Sequence, residues 1–188
     1  MYSKKTSYLQ STNKRIVQKE IFSKLKKKKL NKVIGLGGPN LTNYLALLHN
    51  YDVEQAEIYE YDISKLALQL KSYKPVINSE ILFSDVINAV PDKSNTFYDL
   101  DFCCSIINAA PHIKKFKNNV CYTLSIRPVG LEKTIKHFSK LVDDTKKPIL
   151  TLIKEKEEYK SYCLKTDSKK YLCYLYRDST PMLTISSI

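Results

Sequence analysis

Lys32-Val33-Ile34-Gly35-Leu36-Gly37-Gly38 decides the fold. A short apolar run with two β-branched residues ends in a glycine cluster, which reads as a buried strand entering a tight turn. Residues 40–49 follow with Leu41, Tyr44, Leu45 and Leu48 at helical spacing. Strand, glycine turn and helix therefore succeed one another.

The alternation continues outward from that unit. Residues 56–62 (AEIYEYD) read as a strand, 63–73 as a helix stopped before Pro75, and 81–86 (ILFSDV) as a short strand. Residues 97–105 (FYDLDFCCS) form another strand, leading to a short helix over 106–116. Residues 120–127 are rich in β-formers, and 131–143 have an amphipathic helical pattern. Strands alternating with helices imply a parallel sheet with helices on both faces. The last segment differs. Residues 148–154, 159–165 and 171–177 read as strands, and the turn residues 166–170 make the last two a hairpin. That terminal hairpin places its last strand antiparallel within or at the edge of the sheet.

Charge divides the chain unevenly. The 188 residues hold 31 Lys+Arg and 19 Asp+Glu, a formal net charge of +12. Residues 1–32 carry ten lysines and Arg15 against the lone acid Glu20, leaving a nearly neutral remainder. The expected organisation is a basic N-terminal segment over 1–30 and one α/β domain over 31–188. Ser11, Thr12 or Asn13 caps a helix running to about Leu30, and Val17, Ile21 and Leu25 give it an apolar edge. Lys24, Lys26, Lys27, Lys28 and Lys29 crowd its last turns, a pattern suited to phosphate contact with DNA or RNA.

Several classes are excluded. No run of about 18 apolar residues exists, so no membrane span is expected. Five cysteines lack CxxC spacing, and His49, His112 and His137 are scattered, so neither a disulfide framework nor a metal site is expected. A reducing, cytoplasmic setting fits. Heavy use of Lys, Tyr, Ile and Asn with only four glycines points to an AT-rich genome, such as that of a virus or mobile element.

Candidate chemistry gathers at the carboxyl ends of the strands. Gly35, Gly37 and Gly38 permit close approach of a ligand to the backbone. Glu60 and Asp62 fall at the end of the next strand, the distance at which a Rossmann-type acid meets ribose hydroxyls. Asp99 and Asp101 stand two apart on one strand face, an arrangement suited to a general base or an orienting pair. Arg127 ends the fifth strand, where it suits a phosphate.

With VIGLGGPN, EIYEYD, FSDV and FYDLDFCCS, residues 31–178 resemble the Rossmann-like S-adenosylmethionine-dependent methyltransferases. The resemblance implies S-adenosylmethionine as cofactor. Gly35, Gly37 and Gly38 would then flank its methionine and ribose. Glu60, or alternatively Asp62, would accept from the ribose. Asp85 would accept from the adenine amino group with Val86 against the ring, and Asp99 and Asp101 would face the reaction centre. Gly35 stands where the family often has an acid, and Pro39-Asn40 replaces a later glycine. Neither the Asn/Asp-Pro-Pro-aromatic motif nor the Pro-Cys motif of DNA methyltransferases is present, so the target atom is not legible. The reading is a methyltransferase acting on nucleic acid. Two alternatives stand beside it: an inactive methyltransferase-like protein that binds nucleic acid or a partner, and a nucleotide- or NAD-binding Rossmann protein.

Overall fold

The computed structural model describes residues 12–25, 30–36, 54–73, 78–90, 95–127, 129–177 and 179–187. Gly37, Gly38, the helix expected at 40–49, and Lys26, Lys27, Lys28 and Lys29 lie outside the described residues.

Helix α1 spans Thr12–Leu25. Strands β1 (Lys32–Leu36) and β2 (Gln55–Glu60) precede helix α2 (Ile63–Ser72) and strand β3 (Asn78–Phe83). A single 3-10 turn, Val86–Asn88, leads to β4 (Thr96–Ser105) and α3 (Ile106–Lys115). Then come β5 (Val120–Ser125) and α4 (Gly130–Asp143). Four strands close the chain: β6 (Ile149–Glu155), β7 (Tyr159–Lys165), β8 (Lys170–Arg177) and β9 (Pro181–Ser187).

All nine strands form one sheet in the order β3-β2-β1-β4-β5-β9-β8-β7-β6. The first five are parallel, and from β5 onward each neighbouring pair is antiparallel. The α/β architecture and its mostly parallel sheet match the sequence reading. The β7–β8 hairpin forms as expected, but β8 is not the last strand. The strand lying antiparallel beside β5 is β9, a segment the sequence reading left unassigned. Its Thr184 and Ser186 look solvated in sequence, yet both are buried. Thr184 shares hydroxyl hydrogen bonds with Thr123 (3.1 Å) and Tyr176 (3.3 Å), so its burial leaves no unmet polar group.

Alternation along the strands divides the core into two layers. Ile34, Tyr98, Leu100, Tyr122, Leu124 and Ile185 pack with α3 and α4 on one face. Val33, Phe97, Cys121, Tyr174 and Tyr176 pack with Val17 and Ile21 of α1 on the other. Val17 and Ile21 are 0% and 2% exposed, so α1 belongs to the packed body of the molecule. Lys14, Val17 and Ile21 stand at i, i+3 and i+7. The buried stripe of α1 therefore begins with a lysine.

Candidate functional site

In the order β3-β2-β1-β4-β5 the sheet reverses its direction of growth between β1 and β4. Open α/β sheets bind ligands in the crevice at such a point, beyond the carboxyl ends of the strands. Here Gly35 of β1 stands in register with Asp99 of β4. Glu60, Asp62 and Asp85 stand at or just beyond the ends of β2 and β3, Asp101 lies within β4 just before its bulge, and Arg127 follows β5.

The three acids nearest β2 and β3 have different surroundings. Glu60 is buried; its carboxylate accepts from the Asp62 N–H (2.9 Å) and from Gln69 Nε2 (3.0 Å). Asp62 caps α2, accepting from the N–H of Ser64 (3.0 Å) and its hydroxyl (2.6 Å). Those bonds hold its pKa below the usual range, the Ser64 hydroxyl contributing most. Asp85 caps the 3-10 turn: Oδ1 accepts from the Ile87 N–H (2.9 Å) and lies 2.8 Å from His112 Nε2. Partial burial works upward on the Asp85 pKa, but the His112 and Ile87 hydrogen bonds outweigh it and set the pKa low. Val86, which follows Asp85, is 2% exposed and packs in the core.

On β4 the two acids share a face with α1. Lys14 Nζ forms an ion pair and hydrogen bond with Asp101 Oδ2, their side chains 10% and 4% exposed. Burial works against the charge of Lys14, but Asp101 and Cys103 outweigh it and raise the pKa. Cys103 Sγ lies 2.9 Å from Asp101 Oδ1 and 3.8 Å from Lys14 Nζ. Its φ of 49° sits within a β-bulge, where the pairing of β4 with β5 shifts between Asp101 and Ser105. Asp99 is buried beside this pair. Burial, then repulsion from Asp101, push its carboxyl up to about 7, against the opposing pull of Lys14.

The fold thus sets Gly35 beside Asp99 in the β1–β4 pairing, with Asp101 two residues further along β4, and seats Glu60, Asp62 and Asp85 at the ends of β2 and β3. Lys24 is exposed; its ammonium lies 3.3 Å from the Tyr174 hydroxyl and 5.9 Å from that ring's centre. Arg127 is exposed, its N–H donating to Ser125 Oγ (3.3 Å). Two pairings escaped sequence reading, Lys14 with Asp101 and His112 with Asp85, although His112 stood out as close to the expected crevice. The spacing 14-17-21 was the available signal for Lys14. For His112, pairing with a residue 27 positions earlier left no local trace. Among the described residues no group of three potential metal ligands converges, and no helix is long and apolar enough to cross a membrane.

No known family profile and no curated protein matches this chain. Solved structures do. A protein assigned as an RNA methyltransferase from Pyrococcus horikoshii superposes with a TM-score of 0.57 at 11% identity, covering 97% of this chain and 87% of that one. An S-adenosylmethionine-dependent O-methyltransferase from Thermotoga maritima gives 0.52 at 11% identity, over 95% and 72% of the two chains. An rRNA methylase from Streptococcus thermophilus gives 0.50 at 7% identity, over 92% and 95%. The chain has the fold of the S-adenosylmethionine-dependent methyltransferases.

Proposed function

We propose that this protein is an S-adenosylmethionine-dependent methyltransferase acting on nucleic acid. One observation carries the reading: at the β1–β4 switch point Gly35 stands in register with Asp99, and further carboxylates follow along the same edge at the ends of β2 and β3. The donor set fits the cofactor. Asp85 keeps a side chain 44% exposed, and among the described residues nothing donates to its Oδ2. Asp85 would hold the adenine amino group, Glu60 or Asp62 the ribose, and Gly35, Gly37 and Gly38 the neighbouring backbone approach. When bound, S-adenosylmethionine supplies an electrophilic methyl group. What the chain adds is alignment and a place for the acceptor's proton. A carboxyl poised near neutrality suits that second task, so Asp99 is the base and Asp101 its orienting partner. Lys24, Lys26, Lys27, Lys28, Lys29 and Arg127 supply phosphate contacts, RNA being favoured because two structural neighbours are named for RNA methylation. In this reading residues 1–30 serve delivery and 31–188 the transfer, in a cytoplasmic setting that keeps the five cysteines reduced.

Calorimetry with S-adenosylmethionine and S-adenosylhomocysteine tests the cofactor. Saturable binding of both is expected, and no binding of either at millimolar concentration would end the reading. For the polyanion, deletion of residues 1–30 is a poor test, because it removes buried Val17, Ile21 and Leu30. Replacing Lys26, Lys27, Lys28 and Lys29 with glutamine leaves those side chains intact. The slope of log affinity against log salt for single-stranded RNA should then fall by roughly 0.7 per lysine that contacts phosphate. An unchanged slope removes these lysines from the interface.

A second reading rests on Lys14. Its ammonium already occupies Asp101, as it would in an inactive relative that binds cofactor or nucleic acid without turnover. Single-turnover methylation of bulk RNA separates the two.

A further inference from the structure

Asp85 and His112 form a pair that the cofactor reading does not require. His112 lies on α3, and its imidazole joins a carboxylate on the far side of β4 in sequence. Three contacts fix it. Nε2 lies 2.8 Å from Asp85 Oδ1, and the ring packs on Phe102 at 4.6 Å between centroids. The single proton of Tyr122 Oη is shared between the carbonyls of His112 (3.1 Å) and Phe116, which pins this turn of α3. The side chain is 13% exposed. Nδ1 is buried with no hydrogen-bond partner among the described residues.

The tautomer follows from these facts. An ionised carboxylate only accepts, so the shared proton belongs on Nε2. A second proton on Nδ1 would be buried without an acceptor, which is costly. In the neutral ring, therefore, Nε2 carries the proton and donates to Oδ1. The Ile87 N–H donates to the same oxygen. With Oδ1 doubly bonded, the carboxylate stays ionised and its rotamer is set, leaving Oδ2 as an open, acceptor-only position.

We infer that His112 is a positioning residue that makes the Asp85 site select a ligand bearing an amino group over one bearing a carbonyl at the same place. On a purine this separates adenine from hypoxanthine. The inference rests on the cofactor reading above, because it takes Asp85 to face the purine.

The test compares S-adenosylhomocysteine with S-inosylhomocysteine, in which a carbonyl replaces the amino group, by calorimetry on the full chain. Wild type should prefer the adenosyl ligand by roughly 10- to 100-fold, the range for one hydrogen bond to a charged group. His112→Phe keeps the ring against Phe102 but has no N–H. It should lose most of that preference by weakening the adenosyl ligand alone. His112→Gln, which restores a donor, should recover it. Preference retained in His112→Phe, with wild type binding, overturns the role of His112 and leaves the cofactor reading standing. Binding of neither ligand by wild type overturns both. Nitrogen NMR of the free protein adds a ligand-independent check. The His112 ring should be protonated at Nε2 and bare at Nδ1; the opposite tautomer refutes the inference.

Discussion

Lys14→Met should lower the free energy of unfolding by about 3–5 kcal/mol, the range for removing one partner of a buried ion pair. Both side chains are nearly inaccessible, so water cannot replace the lost ammonium at Asp101. Methionine keeps an unbranched stem of similar length at position 14, so the loss isolates the charge from the packing. Denaturant titration at pH 7 measures it. The double variant Lys14→Met, Asp101→Leu removes both charges and should recover most of the loss, because paired desolvation offsets much of the attraction. A single variant within 1 kcal/mol of wild type would mean that the pair is solvated in solution.

That ion pair also marks where sequence reading stopped. The strand and helix sequence through β5 was legible because buried parallel strands write themselves as apolar runs, and VIG, IYE and CYTL do so. The carboxyl-end acids were legible by the same route, since their position follows from the strand's end. β9 was not legible. Its polar side chains satisfy one another across β5 and β8, and such cross-strand bonds have no signature within a single segment. Lys14 failed similarly. A lysine-rich segment reads as one solvated block, although the three-and-four spacing with Val17 and Ile21 places this lysine on the buried stripe. Asp62 shows the converse. Its distance from the glycine turn marks it as a candidate, while its hydrogen bonds spend one oxygen on starting α2. Spacing locates a carboxylate; only its neighbours fix what the carboxylate does.

Asp99→Asn is expected to stabilise the protein above neutral pH and to slow the proposed methyl transfer. Asp99 titrates near 7 in the folded state, well above its ordinary 3.8. Between those values the folded protein holds a proton that the unfolded chain has released. Stability therefore falls as pH rises from about 4 to about 7, and levels off beyond. Asparagine has nearly the same shape and never ionises. The variant should match wild type near pH 4 and exceed it by about 2–4 kcal/mol at pH 8, following the scale of 1.36 kcal/mol per pKa unit. The same substitution removes the proposed proton acceptor, so turnover should fall by roughly 100-fold or more while cofactor affinity holds. Asp101→Asn should differ on both counts. It strands Lys14 without its carboxylate and so destabilises the fold. Opposite signs for stability and turnover at Asp99 are what a strained functional carboxyl produces, because the site keeps a group the fold would rather lose. Equal pH dependence of melting in Asp99→Asn and wild type would rule out the raised titration. Full turnover in a folded Asp99→Asn would remove Asp99 as the base.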